Sequence, residues 1–178
     1  MGQLAGLDQV GVYGFFYKFV MPINLIFQGY IMSLDSQLFK LNIPEGETLV
    51  EKALKHYLIK AGILVITVSL MLPYALKIGL HFYPKIPMIY FQNLRIFPIF
   101  MATAYVYYWG VHYASLLDLK LRSRRQLVLM GLSALLNFVL CYLLIHFGPS
   151  FGLSVLTAAA LSNLISASFF TLMQRLLR

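Results

Sequence analysis

The stretch Gln126–Phe147, QLVLMGLSALLNFVLCYLLIHF, carries no charged residue and is as long as the roughly 20 residues an α-helix needs to cross the hydrocarbon core of a bilayer. Four further apolar stretches accompany it, at 10–34, 57–82, 96–117 and 151–173. Inside lipid every backbone N–H and C=O needs a partner within the segment, so each run is expected to be a helix rather than an open strand. The expected fold is therefore an all-α integral membrane protein of about five transmembrane helices. A single membrane domain would cover 1–178, with a cytoplasmic loop at 35–56.

Composition points the same way. The chain is 60% hydrophobic and 11% charged over 178 residues, and its mean hydropathy is +0.78, outside the range of soluble domains. Fourteen Lys and Arg against six acids give +8, a balance that could indicate nucleic acid. These cations sit at the ends of apolar runs instead of along one face, which excludes a nucleic-acid partner and leaves membrane lipid. Aromatic residues gather near span ends: Tyr13 to Tyr17, Phe82 and Tyr83, and Tyr107 to Trp109. Amphipathic rings favour the headgroup level, although the last group can lie deeper and pack within a bundle. Cys141 lies mid-span and reads as a small packing residue, since a lone cysteine forms no internal disulfide.

The N-terminus shows no cleavable-signal pattern: it opens Met1-Gly2-Gln3-Leu4 and carries Asp8 without a basic leader region. The loops set an orientation. Lys40, Lys52 and Lys55, then Lys120, Arg122, Arg124 and Arg125, then Arg175 and Arg178, all fall on one side of a five-span chain. The excess of basic residues places that side in the cytoplasm, which gives an outside N-terminus and a cytoplasmic C-terminus. Thr48 and Glu51 have capping-box spacing, so a short surface helix is expected to lead into the second span.

Polar residues inside the spans are the candidate functional groups. Pro22 interrupts the first span, with Asn24 and Gln28 following within two turns, and Pro73 interrupts the second. Proline frees a helix carbonyl that can face a cavity or a neighbouring helix. Lys18 lies about two turns into the first span, where a charge costs roughly 2.5–3.5 kcal/mol at mid-depth and less near the interface. Two readings stand: its stem snorkels to the outer headgroups, or it lines a water-filled cavity and meets an anion. Arg95 and Lys77 are more simply interfacial anchors. His112 is expected to bond to a neighbour within the bundle.

On the fourth stretch Ser133, Asn137 and Cys141 recur every four residues; on the fifth, Ser154, Ala158, Ser162 and Ser166 do so beside a row of Ala159, Asn163 and Ala167. Small residues at this interval let helix backbones approach closely, and hydroxyls or amides bond across the gap. Asn137 and Asn163 thus read first as interface bonds between helices. No catalytic constellation, metal-ligand spacing or phosphate loop emerges, so no enzyme activity, metal or cofactor is expected. The histidines 56, 81, 112 and 146 scatter over both sides, which also disfavours an enzyme acting on lipid.

Three motifs carry a family resemblance. Gln9-Val10-Gly11-Val12-Tyr13-Gly14-Phe15-Phe16-Tyr17-Lys18-Phe19 resembles the opening of the eighth helix in the O-antigen and polysaccharide flippase branch of the multidrug/oligosaccharidyl-lipid/polysaccharide exporter superfamily. Leu135-Leu136-Asn137-Phe138-Val139-Leu140 with Ile145 to Gly152 resembles the family's eleventh helix and following turn. Thr157-Ala158-Ala159-Ala160-Leu161-Ser162 resembles the start of its last helix. Such transporters have about twelve to fourteen helices in two pseudo-symmetric bundles, of which this chain would supply a C-terminal five. The resemblance implies flipping of a polyprenyl-pyrophosphate-linked oligosaccharide for cell-surface polysaccharide export across the plasma (inner) membrane. It also implies a need for a missing N-terminal half, a second copy or a partner membrane protein. Lys18 is then the best match to a cavity cation for the pyrophosphate and Arg95 the second, with Asn24, Gln28 and Asn137 as polar cavity lining. The alternative is a non-transporting membrane scaffold or vestigial fragment that packs against another membrane protein.

Overall fold

The computed structural model of the chain describes residues 6–82, 87–119 and 123–177. The sequence readings at Met1 to Leu4, Tyr83, Lys120, Arg122 and Arg178 lie outside the described residues. The elements run α1 (Leu7–Leu38), α2 (Ile43–Phe82), α3 (Met88–Gln92), a 3-10 turn (Leu94–Ile96), α4 (Phe97–Leu119), α5 (Ser123–Phe147), a second 3-10 turn (Gly148–Phe151) and α6 (Val155–Leu176). No strand occurs among the described residues.

Four of the helices are long and apolar enough to cross a membrane: Asp8–Leu38, Ile43–Gly79, Arg124–Phe151 and Val155–Leu176. The all-helical architecture with membrane-span-like helices is the one the sequence leads one to expect, with one adjustment. The expected span at 96–117 is a helix of 23 residues, α4; it is not among those four although it is as hydrophobic as they are, and what sets it apart is a run of amphipathic side chains, Tyr105, Tyr107, Tyr108, Trp109, His112 and Tyr113. Its position explains that composition. α4 packs against α6, α2 and α1, and Ile96, Phe97, Met101, Gly110 and His112 to Leu117 are buried. Surrounded by protein, Tyr105 donates to the Leu58 carbonyl at 3.0 Å and His112 Nδ1 lies 2.7 Å from the Tyr108 carbonyl, while Trp109 Nε1 and His112 Nε2 are buried without a protein partner.

α1 turns one stripe inward. On α1 the buried residues Val12, Phe16, Val20, Ile23, Phe27, Ile31, Leu34 and Leu38 are spaced by threes and fours, the interval that keeps side chains on one helix face. The other faces carry exposed Met21, Leu25, Ile26 and Met32 on α1, Ile59, Ile63, Ile66 and Leu70 on α2, and Leu135 and Phe138 on α5. Apolar residues turned outward on every side suit lipid as solvent, whereas in water they would form a continuous sticky belt.

The segment expected as a loop at 35–56 is mostly helical. α1 runs to Leu38 and α2 starts at Ile43, leaving a connection of Phe39 to Asn42. The expected cap at Thr48 is not where the helix begins: Thr48 sits inside α2 and its hydroxyl donates to the Pro44 carbonyl at 3.1 Å. Asn42 caps the helix instead, its Oδ1 accepting from the Glu45 N–H at 3.0 Å. Asn is as good a cap as Thr, and Pro44 is tolerated in a first turn because its missing N–H had no intrahelical partner to lose. The expected surface helix is therefore continuous with the second span. At the other end, α6 is capped by Ser154, whose Oγ accepts from the Thr157 N–H at 3.2 Å. The turn before it closes at Gly152, whose φ of 74° is a left-handed conformation that favours glycine.

Candidate functional site

Between α1, α4, α5 and α6 lies a cleft of about 720 Å³. It exists because α4 and α6 pack closely, α5 leans on α6, and α1 leans on α4, while α1 and α5 do not close over the gap. The close α4–α6 contact has a specific cause. A Cβ added to Gly110 would come within 2.7 Å of the Thr171 Oγ1 and 2.8 Å of the Phe170 ring, so only glycine lets the helices meet there. Thr171 ties the contact by donating its hydroxyl to the Val106 carbonyl at 2.6 Å.

The wall is largely apolar, with Phe100, Met130, Ala134 and Phe170 among its members, and uncharged polar groups are set into it. α1 contributes Tyr13, Gly14, Tyr17, Val20 and Asn24, a set spaced along one helix face. Thr103, Tyr107 and Tyr108 come from α4, Ser133 and Asn137 from α5, and Asn163 and Ser166 from α6. Among the described residues that line it there is no Asp, Glu, Lys, Arg or His. A relay of hydrogen bonds crosses the floor of the cleft. Asn137 Nδ2 donates to Asn163 Oδ1 at 2.8 Å, and Asn163 Nδ2 donates to the Tyr13 hydroxyl at 2.6 Å. The Tyr13 ring stands edge-on to Phe100 at 4.8 Å. Below the relay, Ser133 donates to the Ser166 carbonyl at 2.9 Å. One acceptor in this relay is left over: Asn137 Oδ1 is buried and has no protein partner. A buried polar atom without a partner costs free energy until a ligand or water supplies one.

The residues singled out from the sequence fall into two groups. Asn24 and Asn137 are brought together at the cleft from helices α1 and α5. Gln28, four residues beyond Asn24, continues the same face of α1 but is exposed and outside the lining. Lys18 is exposed and outside it too, because one residue on from Tyr17 is a rotation of about 100° round the helix. Arg95, in the turn before α4, is exposed. It lies at the same end of the molecule as Lys18, since Tyr90 of α3 stacks on Phe15 at 4.1 Å and Phe97 packs near Phe16. The packing reading of the α5 and α6 stripes agrees with the structure, and Asn163 proves to be both an interface bond and part of the cleft wall.

Sequence reasoning passed over Tyr13, Tyr17, Thr103, Tyr107 and Tyr108 as lining. A signal was present on α1, where Tyr13, Tyr17, Val20 and Asn24 share heptad-like spacing. None existed for the α4 tyrosines, because a run of aromatics reads equally as an interfacial belt. His112 is fully buried, with Nδ1 at 2.7 Å from the Tyr108 carbonyl, as expected for a bundle-bonded histidine. Cys141 is half-buried and packs against the cluster of Ile145, Ala158 and Ala159. Among the described residues, no three His, Cys, Asp or Glu side chains gather as metal ligands.

The wall thus combines tyrosine rings, amides and hydroxyls with a larger apolar surface, and no charge occurs among its described residues. Compared with known protein families, curated proteins and solved structures, the chain matches none.

Proposed function

We propose that this chain forms part of a membrane transporter that flips a polyprenyl-pyrophosphate-linked oligosaccharide for cell-surface polysaccharide export. In this reading the sugar lies in the cleft between α1, α4, α5 and α6. The observation that carries it is the set of uncharged polar groups, Tyr17, Asn24 and Asn137 among them, placed in an otherwise apolar cleft wall. Sugar rings present C–H faces that stack on tyrosines and hydroxyls that exchange hydrogen bonds with amides, and tyrosines and asparagines both belong to this lining. The motif likeness to polysaccharide flippases supports the same substrate class. Lys18 and Arg95, at one end of the bundle, would meet the pyrophosphate at headgroup level. The remaining wall of the cavity would come from an N-terminal half, a second copy or a partner membrane protein. The orientation proposed is an outside N-terminus and a cytoplasmic C-terminus in the plasma (inner) membrane, on the distribution of Lys and Arg.

Binding of a lipid-linked oligosaccharide to the purified chain in neutral detergent tests this. Asn24→Leu and Asn137→Leu should each weaken binding roughly two- to tenfold, the loss of one hydrogen bond. Lys18→Ala with Arg95→Ala should weaken it further. Equal binding of the polyprenyl pyrophosphate without its sugar would contradict the placement of sugar in the cleft, and indifference to the Lys18 and Arg95 substitutions would remove the cations from the site.

A second reading is a non-transporting scaffold. It is favoured by α5, which packs on α6 and leaves Leu135, Phe138 and Tyr142 uncovered, a face that another membrane protein could cover. A scaffold would bind no glycolipid in the assay above.

A further inference from the structure

A second recess lies away from the cleft, between α1 and α2. It has a volume of about 280 Å³ and is lined by Ile26, Phe27, Tyr30, His56, Tyr57, Lys60, Ala61 and Leu64. Its position along α2 is informative. A helix of 40 residues is about 60 Å long, roughly twice the hydrocarbon thickness of a bilayer, so part of it stands outside. Charge shows which part: Glu45, Glu47, Glu51, Lys52, Lys55 and Lys60 precede an uncharged run that lasts until Lys77. Lys60 is thus the last charge before the hydrocarbon, and the recess straddles that boundary.

The chemistry of the recess divides at the same level. Ile26, Phe27, Ala61 and Leu64 make an apolar trough on the lipid side. At the other end, the hydroxyls of Tyr30 and Tyr57 are already committed. Tyr30 donates to the Ala53 carbonyl at 3.1 Å, and Tyr57 donates to the Tyr105 carbonyl at 2.8 Å. The two rings stack at 6.5 Å, and the buried His112 backs Tyr57 at 4.5 Å, so the aromatic wall is fixed in place. His56 and Lys60, both exposed, then supply the polar chemistry of the mouth. They are one turn apart on the same helix face, with Lys52 one turn further out, and every member of that row is basic.

We propose that this recess between α1 and α2 binds an anionic phospholipid, with the phosphate between His56 and Lys60 and an acyl chain along Phe27, Ala61 and Leu64. Basic side chains at the end of an apolar groove between membrane helices complement a lipid that is anionic at one end and apolar along its length. The inference rests on the chain being a membrane protein and is independent of the substrate assigned to the cleft.

Native mass spectrometry of the purified chain in neutral detergent, titrated with dioleoyl phosphatidylglycerol or dioleoyl phosphatidylcholine, tests it. Phosphatidylglycerol should be retained in preference. Lys60→Gln should weaken its retention about fivefold, the contribution of one cation at a membrane surface. Lys60→Arg should retain it, which separates loss of charge from loss of fold, and Lys77→Gln, at the far end of α2, should leave it unchanged. Equal retention of the two lipids, an unaffected Lys60→Gln, or displacement of phosphatidylglycerol by millimolar inorganic phosphate alone would overturn the assignment; the last would mean a phosphate site without a lipid.

Discussion

Asn163 does two jobs with one side chain: its carbonyl accepts from Asn137 and its amide donates to Tyr13, joining α5, α6 and α1 across the cleft floor. Hydrogen bonds between membrane helices contribute about 0.6–2 kcal/mol, because the unfolded chain in a membrane also finds partners. Asn163→Ala should therefore destabilise the purified protein by about 1–2 kcal/mol in titration with a denaturing detergent. A double-mutant cycle with Asn137→Ala should show coupling between the two; strictly additive effects would mean the amides do not bond in the folded protein. Both asparagines were legible in the sequence, since a polar residue at four-residue spacing among small ones advertises a helix interface. The bond to Tyr13 was not, because nothing local to an aromatic residue near a helix start says that a residue 150 positions later will bond its hydroxyl.

At the scale of the elements, glycine sets the α4–α6 distance. Gly110→Ala pushes a methyl group into Thr171 and Phe170, and overpacking of this kind costs about 1–3 kcal/mol. Gly131 on α5 has nothing within 4 Å of an added Cβ, so Gly131→Ala should stabilise by about 0.5–1 kcal/mol through helix propensity. Opposite signs in the same unfolding assay check both. The start of α2 offers another test: Asn42→Ala removes the cap from Glu45 and should cost about 1 kcal/mol, whereas Thr48→Ala removes no cap and should cost less. Hydrophobic run length made the helices readable. Their starts were harder, because Thr48 with Glu51 and Asn42 with Pro44 are both acceptable openings, and the longer helix won by adding intrahelical bonds to an apolar face that buries Val50, Ala53 and Leu54.

For the whole molecule, solvent is the organising fact. Apolar residues point both into the core and out to lipid, so hydrophobicity alone does not tell one from the other; the inward stripe on α1 emerges only from contact. Phe16, fully buried in the main core, should cost about 3–5 kcal/mol when replaced by alanine. Phe138, 74% exposed on α5, should cost far less in detergent, since its surroundings remain apolar whether folded or not. The position of α4 at the centre was likewise beyond the sequence, although its amphipathic run from Tyr105 to Tyr113 is what a helix shielded from lipid permits. That arrangement, with α1 and α5 standing apart on either side of α4 and α6, is what creates the cleft. Its function is tested most directly by placing a thiol in it. In a Cys141→Ala background reconstituted into liposomes, Asn24→Cys should react with a water-soluble, membrane-impermeant maleimide, and a lipid-linked oligosaccharide should slow that reaction. A thiol at Asn24 that stays unlabelled while one at exposed Lys52 reacts, or labelling that the glycolipid leaves unchanged, would contradict a substrate cleft in this protein.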